Sequence, residues 1–109
     1  MFEEVMGVHE VVAARLAEIE DLCRTLGVRR LDVFGSAASG SFNVTTSDVD
    51  LLVDFETGDD FDHFGTYFAL KEGLERILDR PVDLVVDSSI RNPYFREQVM
   101  KSKETLYAA

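Results

Sequence analysis

The sequence holds a single cysteine, Cys23, so no disulfide can form within the chain. Cys23 falls on the apolar side of a helical pattern and reads as a small buried thiol in a reducing compartment rather than as a nucleophile. No apolar run approaches the length needed to span a bilayer. Met1-Phe2-Glu3-Glu4 also lacks the basic-then-apolar layout of a signal peptide. A cytoplasmic location without membrane contact is the expectation. Positive charge is scarce too: 11 basic residues stand against 21 acidic ones, for a net charge of -10. A protein that grips a nucleic-acid backbone unaided carries a basic face, and none is visible here. Arg24, Arg29 and Arg30 are the nearest approach to a cluster, with Lys101 and Lys103 close to the end. Both groups read as solvated helix ends and turns. A nucleotide handled through bound metal ions stays compatible with the charge, because the metals supply the positive field.

What is present suits one small globular unit. Hydrophobic residues make up 46% of the 109 and the charges are dispersed, a pattern of folded rather than disordered chains. The length predicts a single domain over residues 1–109, too short for a catalytic domain plus a substrate-recognition domain. Val8, Val11, Val12, Leu16, Ile19, Leu22, Cys23 and Leu26 recur at spacings of three and four, one face of an amphipathic helix that Gly27 is placed to end. Leu31 to Phe34 predicts a short strand running into Gly35-Ser36, and residues 35 to 47 predict a loop with a turn of helix opening at Ser36. From Asp48 to Phe55 the chain alternates, with Val49, Leu51, Val53 and Phe55 on one face and Asp48, Asp50, Leu52 and Asp54 on the other. An acidic loop leads to a second helix through Phe64, Phe68, Leu74, Ile77 and Leu78, closed by Arg80-Pro81. Pro81 to Val86 predicts a third strand, and Asn92-Pro93 caps a last helix to about Lys101. Thr105 to Tyr107 reads equally as an edge strand or a packed tail. The order predicts an α+β fold, an α/β sandwich with one small mixed sheet backed by helices.

The chemistry centres on Asp48-Val49-Asp50. Alternate strand residues project from one face, roughly 6.5–7 Å apart at the backbone. Two carboxylates at that distance repel by roughly 2–3 kcal/mol at an effective dielectric of about 20. A divalent cation removes the repulsion, and magnesium favours a few carboxylates combined with phosphate oxygens and water. By itself Asp-x-Asp is commonly the wet face of a strand. Asp54, together with Asp59, Asp60 and Asp62 in a solvated loop and helix start, shows how frequent acid is here. Gly35-Ser36 sits where a strand-to-helix turn exposes backbone N–H groups to phosphate, although by itself an ordinary turn with Ser capping the helix is the better account. Asp83, inside Val82-Asp83-Leu84-Val85-Val86, needs a partner or a metal unless it faces outward on an edge strand.

Other residues carry less. His63 reads as a capping or exposed group and His9 as structural or exposed, while Tyr94 and Phe95 read as packing rather than a base-stacking platform. Tyr67 and Tyr107 are self-modification candidates, with packing the better account.

Taken together, Gly35-Ser36-Ala37-Ala38-Ser39-Gly40, then Ser47-Asp48-Val49-Asp50-Leu51-Leu52-Val53-Asp54-Phe55, then Pro81-Val82-Asp83-Leu84-Val85 resembles the minimal nucleotidyltransferases of the polymerase-beta-type superfamily. The resemblance runs through the Asn92-Pro93-Tyr94-Phe95 helix to the Leu106-Tyr107-Ala108-Ala109 tail. Eleven residues separate Ser36 from Asp48, one more than the family's commonest count. The resemblance implies a catalytic, metal-binding set of Asp48, Asp50 and Asp83, and a nucleotide-binding pair of Gly35 and Ser36. It implies two magnesium ions as cofactors and ATP as substrate. It further implies an antitoxin that transfers AMP to a tyrosine of a HEPN-domain toxin partner; homo- and hetero-oligomers are both left open. Ser39 stands where many relatives carry a basic residue, which implies a looser hold on nucleotide phosphates. A binding-only antitoxin that neutralises its partner by occlusion is therefore the second expectation. A nucleotidyltransferase acting on a small-molecule alcohol is the third.

Overall fold

The structure, a computed structural model, describes residues 10–35, 48–56 and 62–109. The elements run α1 (Glu10–Ala13), α2 (Leu16–Leu26), β1 (Val28–Phe34), β2 (Val49–Phe55), α3 (His63–Leu78), β3 (Val82–Val86), a 3-10 turn (Asp87–Ser89), α4 (Pro93–Ser102) and β4 (Glu104–Ala108). The strands form one sheet in the order β3-β2-β1-β4. β2 and β3 are parallel, joined through α3, and β1 runs antiparallel to both β2 and β4. The expected α+β architecture with a mixed sheet is present.

The predicted first helix is interrupted between α1 and α2. Arg15 donates its backbone N–H to the Val12 carbonyl at 3.1 Å, a tightened turn, while Ala14 N–H reaches Glu10 O and Ile19 N–H reaches Arg15 O. Val12, Ile19 and Cys23 nevertheless remain in the core. Gly27 then ends α2 in the left-handed region at φ 73, its N–H donated to Cys23 O.

One sheet face carries the main core. Val28, Leu31 and Val33 of β1, Val49, Leu51 and Val53 of β2, and Val82 and Leu84 of β3 meet Leu70, Leu74 and Leu78 of α3. α2 and α3 approach closely at Gly73, where a Cβ would stand 2.7 Å from Leu22 Cδ2. β1 begins three residues earlier than its alternation predicts, because a bulge between Val28 and Arg30 breaks the period of two. That bulge lets Val28 and Leu31, an odd number apart, face the same core. The opposite face holds a smaller cluster in which Phe34, Leu52 and Val99 pack with Val85 and Ile90 beneath α4. Leu52 therefore interrupts the face that the alternation assigns to carboxylates.

Arg29 and Arg30 are exposed as expected but lie on β1 rather than at a helix end or turn, and Lys103, at the end of α4, is half-buried rather than solvated. Arg29 Nε lies 3.1 Å from Asp54 Oδ2 across the β1–β2 pair. Arg30 Nε donates to both carboxylate oxygens of Asp32 at 3.1 and 3.2 Å and its Nη2 to Thr105 Oγ1 at 2.7 Å. Lys103 Nζ donates to Asp32 Oδ2 at 3.3 Å. Asp32 is buried, so the two cations satisfy a carboxylate that would otherwise be costly there. Arg24 and Lys101 do lie exposed on helices, paired with Asp21 and Glu97. Thr105 to Tyr107 belong to β4, at one edge of the sheet.

The other edge, β3, is closed by side chains of α3. Glu75 Oε2 accepts the Val82 N–H at 3.0 Å, and Tyr67 donates its hydroxyl to Leu84 O at 2.7 Å. An uncovered edge invites pairing with another strand, and these two groups occupy its hydrogen-bonding positions. Tyr67, a self-modification candidate, thus has its hydroxyl engaged. Among the described residues no helix is long and apolar enough to cross a membrane.

Candidate active site

The candidate site lies on the sheet face opposite the main core, where β1 ends and β2 and β3 run side by side. Phe34 pairs with Asp50 across β1 and β2, and Asp50 pairs with Asp83 across β2 and β3. Directly paired residues project to the same face, so Phe34, Asp50 and Asp83 form one lateral row. Asp48 immediately precedes β2 and is exposed. Asp83 is also exposed, on an edge strand, yet it stands beside Asp50 rather than alone.

Burial raises the Asp50 carboxyl above its ordinary value, and the charges of Asp83 and then Asp48 raise it further. All three effects disfavour the charged form. Each field bearing on Asp50 is therefore negative, and among the described residues no lysine or arginine forms an ion pair with Asp48, Asp50 or Asp83. Asp32 makes the contrast. It lies two residues before Phe34 on the same strand, but Arg30 and Lys103 occupy its oxygens, which makes it a structural carboxylate. The residue-level signal for Asp32, an acid within Leu31-Asp32-Val33-Phe34, was the same as for Asp83; the partners that separate the two are supplied only by the fold.

Gly35 follows Phe34 with φ 73, a left-handed conformation. A Cβ built there would fall on Asp50 Oδ2, so the position requires glycine for both its backbone angle and its space. Ser36, Ser39, Asp59, Asp60 and His9 lie outside the described residues. His63 is the exposed first residue of α3, and Asp62 caps that helix by accepting the Gly65 N–H at 2.9 Å. Tyr94 is exposed, Tyr107 is half-buried, and Phe95 stacks edge-on against Phe34 with ring centroids 6.2 Å apart.

Among the described residues no three His, Cys, Asp or Glu side chains are gathered as a ready cage for one ion. The donor set suits magnesium in a different way. That ion commonly takes one or two carboxylates and completes its octahedron with water and phosphate oxygens of the substrate. Two adjacent carboxylates, a third close enough to act on them and a glycine that leaves their approach open match such a shared shell.

Carboxylates from adjacent parallel strands beside a glycine turn are the arrangement that the sequence resemblance leads one to expect. Residues 16–106 match the nucleotidyltransferase domain family, and the chain belongs to it. It is similar to the protein adenylyltransferase MntA of Thermococcus cleftensis, with 35% identity over 88 residues, 81% of this chain and 85% of that protein. A solved structure described as a minimal nucleotidyltransferase superposes with a TM-score of 0.74 at 37% identity, covering 87% of this chain and 92% of the other. A toxin–antitoxin structure with AMP-PNP gives a TM-score of 0.67 at 26% identity, covering 86% of this chain and 73% of that one. The chain is a nucleotidyltransferase of the minimal type.

Proposed function

We propose that this protein transfers AMP from ATP to a tyrosine hydroxyl of a HEPN-type toxin, and so acts as the antitoxin of a pair. The observation that carries the reading is the side-by-side placement of Asp50 and Asp83, with Asp48 adjoining and no cation paired to them among the described residues. The Thermococcus relative named as a protein adenylyltransferase supports the protein acceptor, and the toxin–antitoxin structure with AMP-PNP supports both an adenine nucleotide and a toxin partner. The whole 109-residue chain is taken as one catalytic domain.

Asp48, Asp50 and Asp83 would hold the magnesium ions, which when bound neutralise the triphosphate and the departing pyrophosphate. Gly35 and Ser36 would receive the phosphates through backbone N–H groups and the Ser36 hydroxyl. Asp83, the exposed member of the row, takes the proton of the acceptor hydroxyl. The acceptor oxygen then forms a bond to the α-phosphorus while the bond from that phosphorus to the bridging oxygen breaks, and pyrophosphate carries away the electron pair. The phosphodiester left on tyrosine carries one AMP.

The test is incubation of the protein with α-labelled ATP and magnesium, with and without a HEPN-domain partner. Label is expected on the partner and absent with Asp48→Ala or Asp83→Ala, both folded by circular dichroism. Undiminished label with either variant would refute the assignment.

The net charge of -10 favours one second reading, occlusion of a basic RNase by an acidic surface. Neutralisation of the toxin by Asp48→Ala as complete as by the unaltered protein would establish occlusion as sufficient.

A further inference from the structure

Asp50 and Asp83 account for the phosphate end of a nucleotide, and the same sheet face carries a group suited to the other end. Phe34 stands beside Asp50 in the β1–β2 pairing, with Cβ atoms about 5 Å apart as for any direct antiparallel pair. Phe34 is only 7% exposed, so its ring is not available to a ligand. Phe95 is. It meets Phe34 at an interplanar angle of 77° with centroids 6.2 Å apart, and 39% of it remains exposed.

Its mounting is fixed at both ends of the first helical turn. Asn92 Oδ1 accepts the backbone N–H groups of Tyr94 and Phe95 at 2.8 and 3.2 Å. Arg96 donates to Asp87 Oδ1 at 2.9 Å and to the Asp87 carbonyl at 2.8 Å, which ties the start of α4 to the turn after β3. An aromatic ring held edge-on by a buried neighbour, on a braced helix start, presents a preformed surface at little further entropic cost. Through Phe34, which pairs with Asp50, it stands on the same side of the sheet as the carboxylate row. Phe64 and Phe68, the other exposed phenylalanines among the described residues, are on α3, which covers the opposite sheet face.

We infer that Phe95, backed by Phe34, is the stacking platform for the nucleobase of the bound nucleoside triphosphate. The inference rests on the proposed nucleotidyl-transfer reading and adds the base subsite to it. Stacking uses the π-face that every base possesses, so the platform favours purines by area and discriminates weakly between adenine and guanine.

The chain contains no tryptophan, so Phe95→Trp installs a single tryptophan at the platform, excited selectively over the three tyrosines. Titration with magnesium AMP-PNP is expected to quench it. Magnesium tripolyphosphate, which lacks a base, is expected to compete for the site without quenching. By calorimetry, Phe95→Ala is expected to weaken AMP-PNP binding about tenfold and to leave tripolyphosphate affinity unchanged. Phe95→Leu keeps an apolar contact with Phe34 and is expected to show the same selective loss, which separates stacking from folding. Phe64→Ala is expected to alter neither ligand. Equal AMP-PNP affinity in the unaltered protein, Phe95→Ala and Phe95→Leu, with no quenching of Phe95→Trp, would overturn the platform while leaving the carboxylate site standing. Absence of binding by both AMP-PNP and tripolyphosphate to the unaltered protein would overturn the underlying reading and the platform with it.

Discussion

Asp50 faces Asp83 across the parallel ladder of β2 and β3, one carboxylate half-buried and the other exposed. Ladder neighbours of like charge oppose folding, and here the disadvantage is deepened because Phe34 flanks Asp50 on its other side. Neither acid forms an ion pair among the described residues, although Lys71 on α3 feels the charge of Asp83. The arrangement sets like charges side by side, a repulsion that a cation bound between them would relieve.

Two consequences are measurable together. Asp50→Asn is expected to raise the thermal midpoint of the metal-free protein, since it deletes one of the repelling charges, while lowering AMP transfer more than about a hundredfold. Magnesium with AMP-PNP is expected to raise the midpoint of the unaltered protein and to leave that of Asp50→Asn nearly unmoved, because only binding to the native state stabilises it. A scanning-calorimetry comparison of the two proteins with and without ligand checks both. An Asp50→Asn variant less stable than its parent without metal would show that the pair is not under electrostatic strain.

Gly27 and Gly35 share φ 73 but differ in what surrounds them. Nothing lies within 4 Å of a Cβ at Gly27, whereas one at Gly35 would fall on the Asp50 carboxylate. Gly27→Ala is expected to cost about 1 kcal/mol through backbone conformation alone, with activity unchanged once the protein is folded. Gly35→Ala is expected to cost about 1–2 kcal/mol and also to displace Asp50 and abolish transfer. Urea denaturation with a transfer assay on each variant separates a glycine that only ends a helix from one that also makes room for Asp50.

Legibility from sequence followed the range of the interactions concerned. β2 was readable because its alternation is strictly local, and the start of α4 because Asn92 and Pro93 form a cap within a few residues. The candidate carboxylates were readable as a pattern, yet their adjacency is a product of strand pairing between residues 50 and 83. The early start of β1 was hidden because a bulge interrupts the period of two. Asp32 was hidden as a structural residue because its partner Lys103 lies 71 positions away. Leu52 looked like a wet position since nothing nearby in sequence reveals that α4 folds back over that face.

Cys23 gives an independent probe of opening. Burial in the core, followed by the charge of Glu20, pushes its thiol up to about 12, with Arg24 opposing. Almost no thiolate exists at neutral pH, and the thiolate is the reactive form. Alkylation by iodoacetamide is expected to be at least about a hundredfold slower than for an unfolded thiol. It is also expected to accelerate in step with global unfolding as urea is added. Rapid labelling in buffer alone would show that α2 opens without the rest of the domain.

Glu75 links the protected sheet edge to pH. Lys71, donating from Nζ at 2.8 Å, and the Val82 N–H hold its carboxyl below the ordinary value of 4.5, burial opposing. In the native state the group stays charged to lower pH than in the unfolded chain. Its contribution is therefore complete above the ordinary carboxylate range and is lost as pH falls through the depressed native value. Its side chain is 32% exposed, so the contribution is discounted for solvent screening. Glu75→Ala is expected to cost about 1 kcal/mol at neutral pH by orphaning the Val82 N–H, and less below the carboxylate range. Glu75→Gln retains an oxygen acceptor for Val82 but not the charge, so it is expected to keep much of the stability and lose its acid dependence. Urea unfolding of the three proteins at neutral and acidic pH measures this directly. If Glu75→Ala were as stable as the parent at neutral pH and associated no more than the parent at high concentration, Glu75 would be neither a stabilising partner nor a guard of the β3 edge.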